Sequence, residues 1–332
     1  MTGKTAVVIG GGFGGLALAI RLQAAGASVT LIEKREKLGG RAYVYEQDGF
    51  TFDAGPTVIT DPSCVQELWD VAGRKIEDYV DLLPVAPLYR LHWEDGYSFD
   101  YTQDSDGLER QIAEKSPEDV EGYRRFYNYS EEVFEEGYVK LGHVPFLNFW
   151  SMIKAAPQLM MLQSFRSVYG RVADFIKDEQ LRQAFSFHTL LVGGDPFKTS
   201  SIYALIHALE RRWGVFFPKG GTHALVDGMA KLFEDLGGTI RLGDPVTDIT
   251  VAGNHAKTVT TQSGWSQDFD AIASNADIVH TYDSLLRGTG RGKSRARQLK
   301  GMRFSNSLFV AYFGLKRRHD NIAHHSILFG PR

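Results

Sequence analysis

The stretch from Gly10 to Lys34, GGGFGGLALAIRLQAAGASVTLIEK, constrains the fold more than any other part of this sequence. A β-branched run, AVVI at residues 6–9, precedes it and predicts a buried strand. Gly10, Gly12 and Gly15 then fit the G-x-G-x-x-G pattern. In that pattern the glycines permit a tight turn, a close approach of the backbone to a pyrophosphate and close packing of helix on strand. The sequence therefore predicts a dinucleotide-binding loop.

A helix and a second strand complete the βαβ unit. Apolar residues recur at helical spacing after the glycine loop, and Gly26 fits a helix C-cap. A strand over residues 28–32 then ends at Glu33, 18 residues after Gly15, where this fold places an acid on the ribose hydroxyls. The carboxylate disfavours a 2′-phosphorylated cofactor because the two charges repel. The unit does not separate NAD from FAD, since both carry an ADP moiety.

Composition limits the classes of function. The 332 residues are enough for two domains, and the net charge of −3 gives no support for a nucleic-acid partner. Cys64, the only cysteine, excludes an internal disulfide and a cysteine-rich zinc site, and no metal site is expected. The apolar N-terminus belongs to the nucleotide unit rather than to a signal peptide, and no apolar run is long enough for a transmembrane helix.

The residues after Glu33 favour FAD over NAD. They read KREKLGGRAYVYEQDGFTFDAGPTVIT, with Gly39 and Gly40 before Arg41 and a hairpin-like stretch leading to a second glycine-bearing turn. An NAD-binding domain usually continues into another βαβ crossover at this point. Here glycines let backbone amides approach an extended ligand, and Arg41 is suited to pair with a pyrophosphate or to line an isoalloxazine ring. The alternative is an ordinary turn followed by a surface charge.

This arrangement resembles the flavin-dependent amine oxidase and carotenoid desaturase superfamily, in which a GGR-type segment contacts FAD. A second resemblance lies in FPKGGTHALVDGMAKLFEDLGGTIRLGDPVTDI, residues 217–249, which is similar to the family's P-x-G-G helix and its adenine-binding strand. By that match, Val246 contacts the adenine. The segments RAYVYEQDGFTFDAGPTVITDPS, RQAFSFHTLLVGGDPF, SSIYALIHALERRWGVFFPKGGTHALV and SNSLFVAYFGL look like those of bacterial-type phytoene desaturases.

The resemblance implies an α/β fold in which a Rossmann-like FAD-binding domain is interleaved with a second, mostly helical domain. The expected FAD-binding domain comprises residues 1–90 and 213–285, and the expected substrate and membrane-associated domain comprises 91–212 and 286–332. The family continues for well over a hundred residues past the end of this chain, so its C-terminal portion is expected to be absent. The residues expected to bind FAD are Gly10, Gly12, Phe13, Gly14, Gly15, Glu33, Lys34, Gly40, Arg41, Pro56, Thr57 and Val246.

The activity implied by the resemblance is FAD-dependent desaturation of phytoene toward lycopene, with a hydride passing to flavin N5. No catalytic acid or base is assigned. His188 lies between apolar residues and fits a core histidine or a titrating group, and Asp53 fits a structural acceptor of amides in its own turn. The alternatives are another FAD-dependent oxidoreductase of the amine oxidase type, an NAD-dependent dehydrogenase, and an inactive fragment that acts only as a binding partner.

The aromatic middle of the chain has two interpretations. Residues 144–165, VPFLNFWSMIKAAPQLMMLQSF, fit either an ordinary helical core or an exposed surface for an apolar substrate or a bilayer. In the second case, Lys154 and Arg166 would meet lipid headgroups. The apolar residues that favour exposure are Phe146, Leu147, Phe149, Trp150, Met152 and Ile153. A polyene substrate implies a peripheral contact with the cytoplasmic side of a membrane. The oligomeric state is left open.

Overall fold

Strands and helices alternate in a computed structural model that describes residues 1–145, 149–302, 304–305 and 308–330. The strands are β1 (Thr5–Ile9), β2 (Ser28–Ile32), β3 (Val44–Gln47), β4 (Phe50–Asp53), β5 (Leu82–Pro84), β6 (Tyr89–His92), β7 (Ser98–Tyr101), β8 (Phe216–Pro218), β9 (Thr239–Arg241), β10 (Val246–Ala252), β11 (His255–Thr261), β12 (Ser266–Asp268), β13 (Ala271–Ser274) and β14 (Ser326–Leu328). The α-helices are α1 (Phe13–Ala24), α2 (Pro62–Asp70), α3 (Ser105–Lys115), α4 (Val120–Phe134), α5 (Phe149–Met161), α6 (Val168–Val172), α7 (Glu179–Ala184), α8 (Leu205–Trp213), α9 (Thr222–Asp235), α10 (Ile278–His280) and α11 (Gly290–Lys300).

The chain divides into two compact units, and each unit is built from two segments. Unit 1 comprises Met1–Leu83 and Phe216–Phe304, and unit 2 comprises Pro84–Val215 and Ser305–Arg332. The sequence predicted divisions after residues 90, 212 and 285, whereas the structure divides the chain after residues 83, 215 and 304.

Unit 1 is organised around a four-stranded parallel sheet with the order β13-β1-β2-β9. Thr5 pairs with Ser28 and Ala6 pairs with Ala271, so β1 is flanked on both sides. Val8 on β1 is fully buried in the same core as residues of α1 and α9. Strands of parallel sheets bury both faces, which explains the uninterrupted apolar run at this position. The expected Rossmann-like α/β fold is confirmed.

The helix after the glycine loop follows the expected pattern. α1 runs from Phe13 to Ala24, and its residues Leu16 and Ile20 are fully buried. A Cβ at Gly15 would overlap the carbonyl oxygen of Gly10, so glycine is what allows the helix to start against the strand end. Gly26 ends the helix with φ of 88°, a left-handed conformation that favours glycine.

Two antiparallel elements complete unit 1. β3 and β4 form the predicted hairpin, closed by Asp48 and Gly49 with φ of 51° and 80°, as a two-residue Asp-Gly turn requires. β10, β11 and β12 form a second sheet, whose buried side chains include Val246 and Val259.

Unit 2 combines helices α3–α8 with the three-stranded sheet β14-β6-β7, which agrees with the mostly helical domain expected. Large rings such as Phe99, Phe126 and Phe185 are fully buried in unit 2, but they lie outside residues 144–165. The predicted apolar residues Phe146 and Leu147 lie outside the described residues, as do the side chains of Phe149 and Met152. None of the described helices is long and apolar enough to cross a bilayer.

Candidate functional site

A cavity of about 980 Å³ opens in unit 1 beyond the carboxyl ends of β1, β2 and β13. Open α/β sheets place ligands at this edge, because the loops that leave the strands converge there. Nine of the residues predicted to bind the cofactor line the cavity: Gly10, Gly12, Phe13, Glu33, Lys34, Gly40, Arg41, Pro56 and Val246. Gly14, Gly15 and Thr57 are not among the lining residues. Gly15 instead makes the close packing of α1 on the strand end possible.

The glycine loop leaves space at the start of α1. A Cβ at Gly12 would find its nearest protein atom, the Gly40 Cα, at 3.7 Å, which is an ordinary contact. The protein itself therefore does not demand glycine there, whereas a ligand in the cavity would. The first bond of the helix runs from the Leu16 amide to the Gly12 carbonyl, and Gly12 provides no side-chain cap. The helix start is therefore suited to hold an anion.

Glu33 fixes the loop from the end of β2. Its side chain is buried, and Oε2 accepts a hydrogen bond of 2.7 Å from the Gly11 amide. Oε1 accepts a second bond of 3.0 Å from the Arg35 amide. A carboxylate has lone pairs left after these two bonds, so Glu33 can also accept ribose hydroxyls from a ligand in the cavity.

The second glycine segment packs directly against the first. Gly39 has φ of 113° and its amide donates to the Gly11 carbonyl at 2.8 Å. Gly40 has φ of 58°, and a Cβ there would lie 3.0 Å from the Gly12 Cα. These contacts bring the exposed Arg41 to the cavity wall, beside the helix start. A guanidinium at this place adds a charged donor for a pyrophosphate.

Asp53 joins the hairpin to the downstream glycine helix. Its carboxylate accepts amide hydrogen bonds from Thr222 at 3.0 Å and from His223 at 3.3 Å, so it caps α9. The Thr222 hydroxyl donates to the Pro56 carbonyl at 2.7 Å, which ties α9 to the cavity wall. The sequence correctly assigned Asp53 a structural role, but the amides that it accepts belong to α9 and not to its own turn.

A group of lining residues that was not predicted from the sequence follows β13. The Asn275 amide donates to the Ile9 carbonyl at 2.8 Å, and Asn275, Asp277, His280 and Arg287 line the cavity. The motif ASNAD was visible in the sequence. The sequence does not reveal that β13 pairs in parallel with β1. This pairing places the end of β13, and the residues that follow it, beside the glycine loop.

His188 lies in the core of unit 2 and is not part of this cavity. Its Nε2 lies 3.0 Å from Glu210 Oε2 without hydrogen-bond geometry. The Tyr89 hydroxyl donates to Glu210 Oε1 at 2.6 Å. Burial, and then the charge of Glu210, raise the pKa of Tyr89 well above its usual range, so the phenol stays protonated and donates.

The sequence pattern of flavin-containing amine oxidoreductases matches residues 13–328. The chain belongs to this family. It is 60% identical over 329 residues to "Phytoene desaturase (lycopene-forming)" of Pantoea ananas, covering 99% of this chain and 67% of the relative. It is 40% identical over 330 residues to "Phytoene desaturase (neurosporene-forming)" of Cereibacter sphaeroides, covering 98% of this chain and 64% of that protein. The expected resemblance to phytoene desaturases is confirmed.

Solved structures share the fold of this chain. An oxidoreductase from Methanosarcina mazei superposes with a TM-score of 0.60 at 19% identity, covering 89% of this chain and 64% of that chain. This similarity concerns the fold. The chain spans about two thirds of the length of the relatives that it matches.

The cavity fits the cofactor of a flavin-containing oxidoreductase. FAD, the cofactor expected from the sequence, is confirmed by the family. A pyrophosphate fits the space above Gly12 at the uncapped start of α1. A ribose fits beside the carboxylate of Glu33, which lines the same cavity. Val246 lines the same cavity as Glu33, so an adenosine held by Glu33 would reach β10.

Proposed function

We propose that this chain acts in the FAD-dependent desaturation of phytoene toward lycopene. The observation that carries the proposal is 60% identity over 99% of the chain to a lycopene-forming phytoene desaturase, joined to a cavity that fits FAD. A relative that forms neurosporene is 40% identical, so the proposed product follows the more similar protein. The reaction would belong to an oxidoreductase acting on CH–CH groups.

When bound, FAD would supply flavin N5 as the hydride acceptor for desaturation, with a proton lost from the neighbouring substrate carbon. The proposed work of this chain is to hold the cofactor. The amides at the start of α1 and the Arg41 guanidinium bind the pyrophosphate, and Glu33 binds the ribose. Val246 contacts the adenine from β10. The other proposed FAD-binding residues are Gly10, Phe13, Gly14, Gly15, Lys34, Gly40, Pro56 and Thr57.

We also propose that unit 2 forms the substrate and membrane-associated part. Side chains around α5 expose large apolar surface: Trp150 is 72% exposed, Met161 76% and Phe165 76%. Lys154 is exposed beside them. Arg166, by contrast, is held by Asp174 through a 2.9 Å bond, so it is already paired. A long hydrocarbon dissolves in a bilayer, and an exposed apolar surface with a cation suits contact with the cytoplasmic face of a membrane.

The test mixes the purified chain with FAD and with phytoene in liposomes, without nicotinamide. The flavin spectrum reports cofactor binding, and the product chromatogram reports desaturation. Bound flavin with coloured polyenes is the expected result. Bound flavin without product would reject the polyene, and amines would be tested next. If neither appears, the assay is repeated on a chain extended to the length of the relatives.

Membrane contact is tested by flotation with phosphatidylcholine vesicles. The variant Met161→Ser/Phe165→Ser removes exposed apolar surface and is expected to weaken flotation. Leu83→Ser is a matched control, because Leu83 is 48% exposed in unit 1. Equal flotation of the wild type and the α5 variant would reject this surface as the membrane contact.

A further inference from the structure

A second cavity of about 310 Å³ lies in unit 1 and is lined mainly by basic side chains. α11 contributes Lys293, Arg297 and Lys300. The π-helical segment Thr281–Leu285 contributes Tyr282 and Asp283, and the turn after it contributes Arg287. We call this cavity the basic pocket. Only Arg287 is shared with the cofactor cavity.

The basic pocket is built by the way α11 begins. The Thr289 hydroxyl accepts a 2.9 Å bond from the Gly292 amide and donates at 2.9 Å to the Leu286 carbonyl. A Cβ at Gly292 would overlap the Leu286 carbonyl oxygen, so glycine is what brings the helix against the preceding turn. That close approach sets the pocket cations of α11 facing residues 282–287.

The cationic side chains of α11 lie on two different sides of the helix because of their spacing in the sequence. Lys293, Arg297 and Lys300 are separated by four and three residues and line the pocket. Arg291 and Arg295 are also four residues apart but do not line it. Gly292, Ala296 and Leu299 are the buried residues of the helix and lie between the two sides.

Positive charge in the pocket is not balanced. Residues 287–300 contain six arginine and lysine residues and no acid, in a chain whose net charge is −3. Asp283 pairs with Lys300 at 2.8 Å. Among the described residues, no carboxylate forms an ion pair with Arg287, Lys293 or Arg297. Three like charges around a concave space are stabilised by a polyvalent anion, and guanidinium groups match phosphate oxygens in pairs.

We propose that the basic pocket binds a phosphate-bearing anion. The shared chemistry is a phosphate group bound by the three cations Arg287, Lys293 and Arg297, which are unpaired among the described residues. Its source is either a lipid headgroup or a soluble diphosphate. This site is separate from the pyrophosphate position at the start of α1. The proposal does not depend on flavin binding or on desaturation.

The test compares two double variants of the same helix. Lys293→Gln/Arg297→Gln removes pocket cations, and Arg291→Gln/Arg295→Gln removes the same charge outside the pocket. One arm measures binding to vesicles of phosphatidylcholine with about one third phosphatidylglycerol, relative to phosphatidylcholine alone. The other arm titrates inorganic pyrophosphate by calorimetry. Flavin binding and melting temperature of each variant report its integrity.

We expect the pocket variant to lose about 25-fold in affinity, about fivefold for each cation, and the control to lose much less. Loss in the vesicle arm identifies a lipid headgroup, and loss in the pyrophosphate arm alone identifies a soluble anion. Lys293→Arg/Arg297→Lys keeps both charges and should retain binding. The proposal is overturned if the wild type binds neither probe, or if both Gln variants weaken binding equally.

Discussion

The Glu33 carboxylate accepts a 2.7 Å hydrogen bond from the Gly11 amide, which joins the end of β2 to the glycine loop. The same side chain lines the cofactor cavity. One acid therefore supports the loop and also faces the cavity.

Replacing Glu33 by Gln tests the charge. The single amide oxygen of Gln can accept only one of the two bonds, from the Gly11 amide or from the Arg35 amide, and the charged acceptor for the ribose is lost. Hydrogen bonds to charged groups contribute about 1.5–3 kcal/mol, so we expect FAD affinity to fall about 10- to 100-fold. Quenching of flavin fluorescence during titration measures this. Glu36→Gln is the control, since Glu36 is exposed and does not line the cavity. Unchanged affinity in Glu33→Gln would contradict the assigned role.

Two alanine substitutions separate packing from ligand binding within the loop. Gly15→Ala places a methyl group against the Gly10 carbonyl, and we expect the free energy of unfolding to fall by about 1–3 kcal/mol. Gly12→Ala meets protein atoms only at 3.7 Å or beyond, so we expect stability to change by less than about 1 kcal/mol. Its methyl group enters the ligand space and should weaken FAD binding about 10- to 100-fold.

For both variants, urea denaturation measures the free energy of unfolding and flavin titration measures the affinity for FAD. A Gly12→Ala chain that binds FAD like the wild type would show that the pyrophosphate does not approach this backbone. A Gly15→Ala chain of unchanged stability would show that α1 can shift away from β1 without cost.

Local patterns explain which parts of the fold were predictable. The span of α1 follows from the 3.6-residue spacing of its apolar residues, and the glycines around it mark turns that few other residues adopt. Asn275 was missed as a site residue because its place depends on the pairing of β13 with β1, across more than 260 residues. No local pattern carries that information.

The solvent exposure of aromatic side chains was a second feature that could not be predicted from the sequence. Phe126 on α4 is fully buried, whereas Trp150 on α5 is 72% exposed. Both side chains are large aromatic rings, so residue type alone does not separate the buried ring from the exposed one. The two rings differ in whether other helices pack over them. Which helices pack against α4 cannot be predicted from the sequence of α4 alone.

The buried pair of Tyr89 and Glu210 offers a test of unit 2. Tyr89→Phe removes the donor at 2.6 Å and leaves Glu210 Oε1 without that bond in a buried site. We expect a loss of about 1–3 kcal/mol in the free energy of unfolding, measured by urea denaturation. Tyr203→Phe, in the same unit, removes a hydroxyl for which the described residues provide no hydrogen bond, and should change stability by less than about 0.5 kcal/mol. Equal effects of the two variants would reject the proposed contribution of the pair.

His207 should make unit 2 sensitive to acid. Its imidazole is buried, with the Tyr101 hydroxyl at Nδ1 and the Tyr123 hydroxyl 3.4 Å from Nε2. Burial, and then the charges of His188 and Arg211, hold the pKa of His207 well below its usual range. The folded state therefore keeps this ring neutral at a pH where the unfolded chain binds a proton.

Stability supplied by the neutral His207 is present above about pH 6.5, the unfolded pKa, and declines as the pH falls, by about 1.4 kcal/mol per unit for this one group. Urea unfolding between pH 7 and pH 5 measures the slope. His207→Gln should lack this part of the slope, because glutamine does not titrate. His143→Gln, at an exposed position of unit 2, should keep it. An identical pH dependence in the wild type and His207→Gln would show that the ring is protonated in the folded protein as readily as in the unfolded chain.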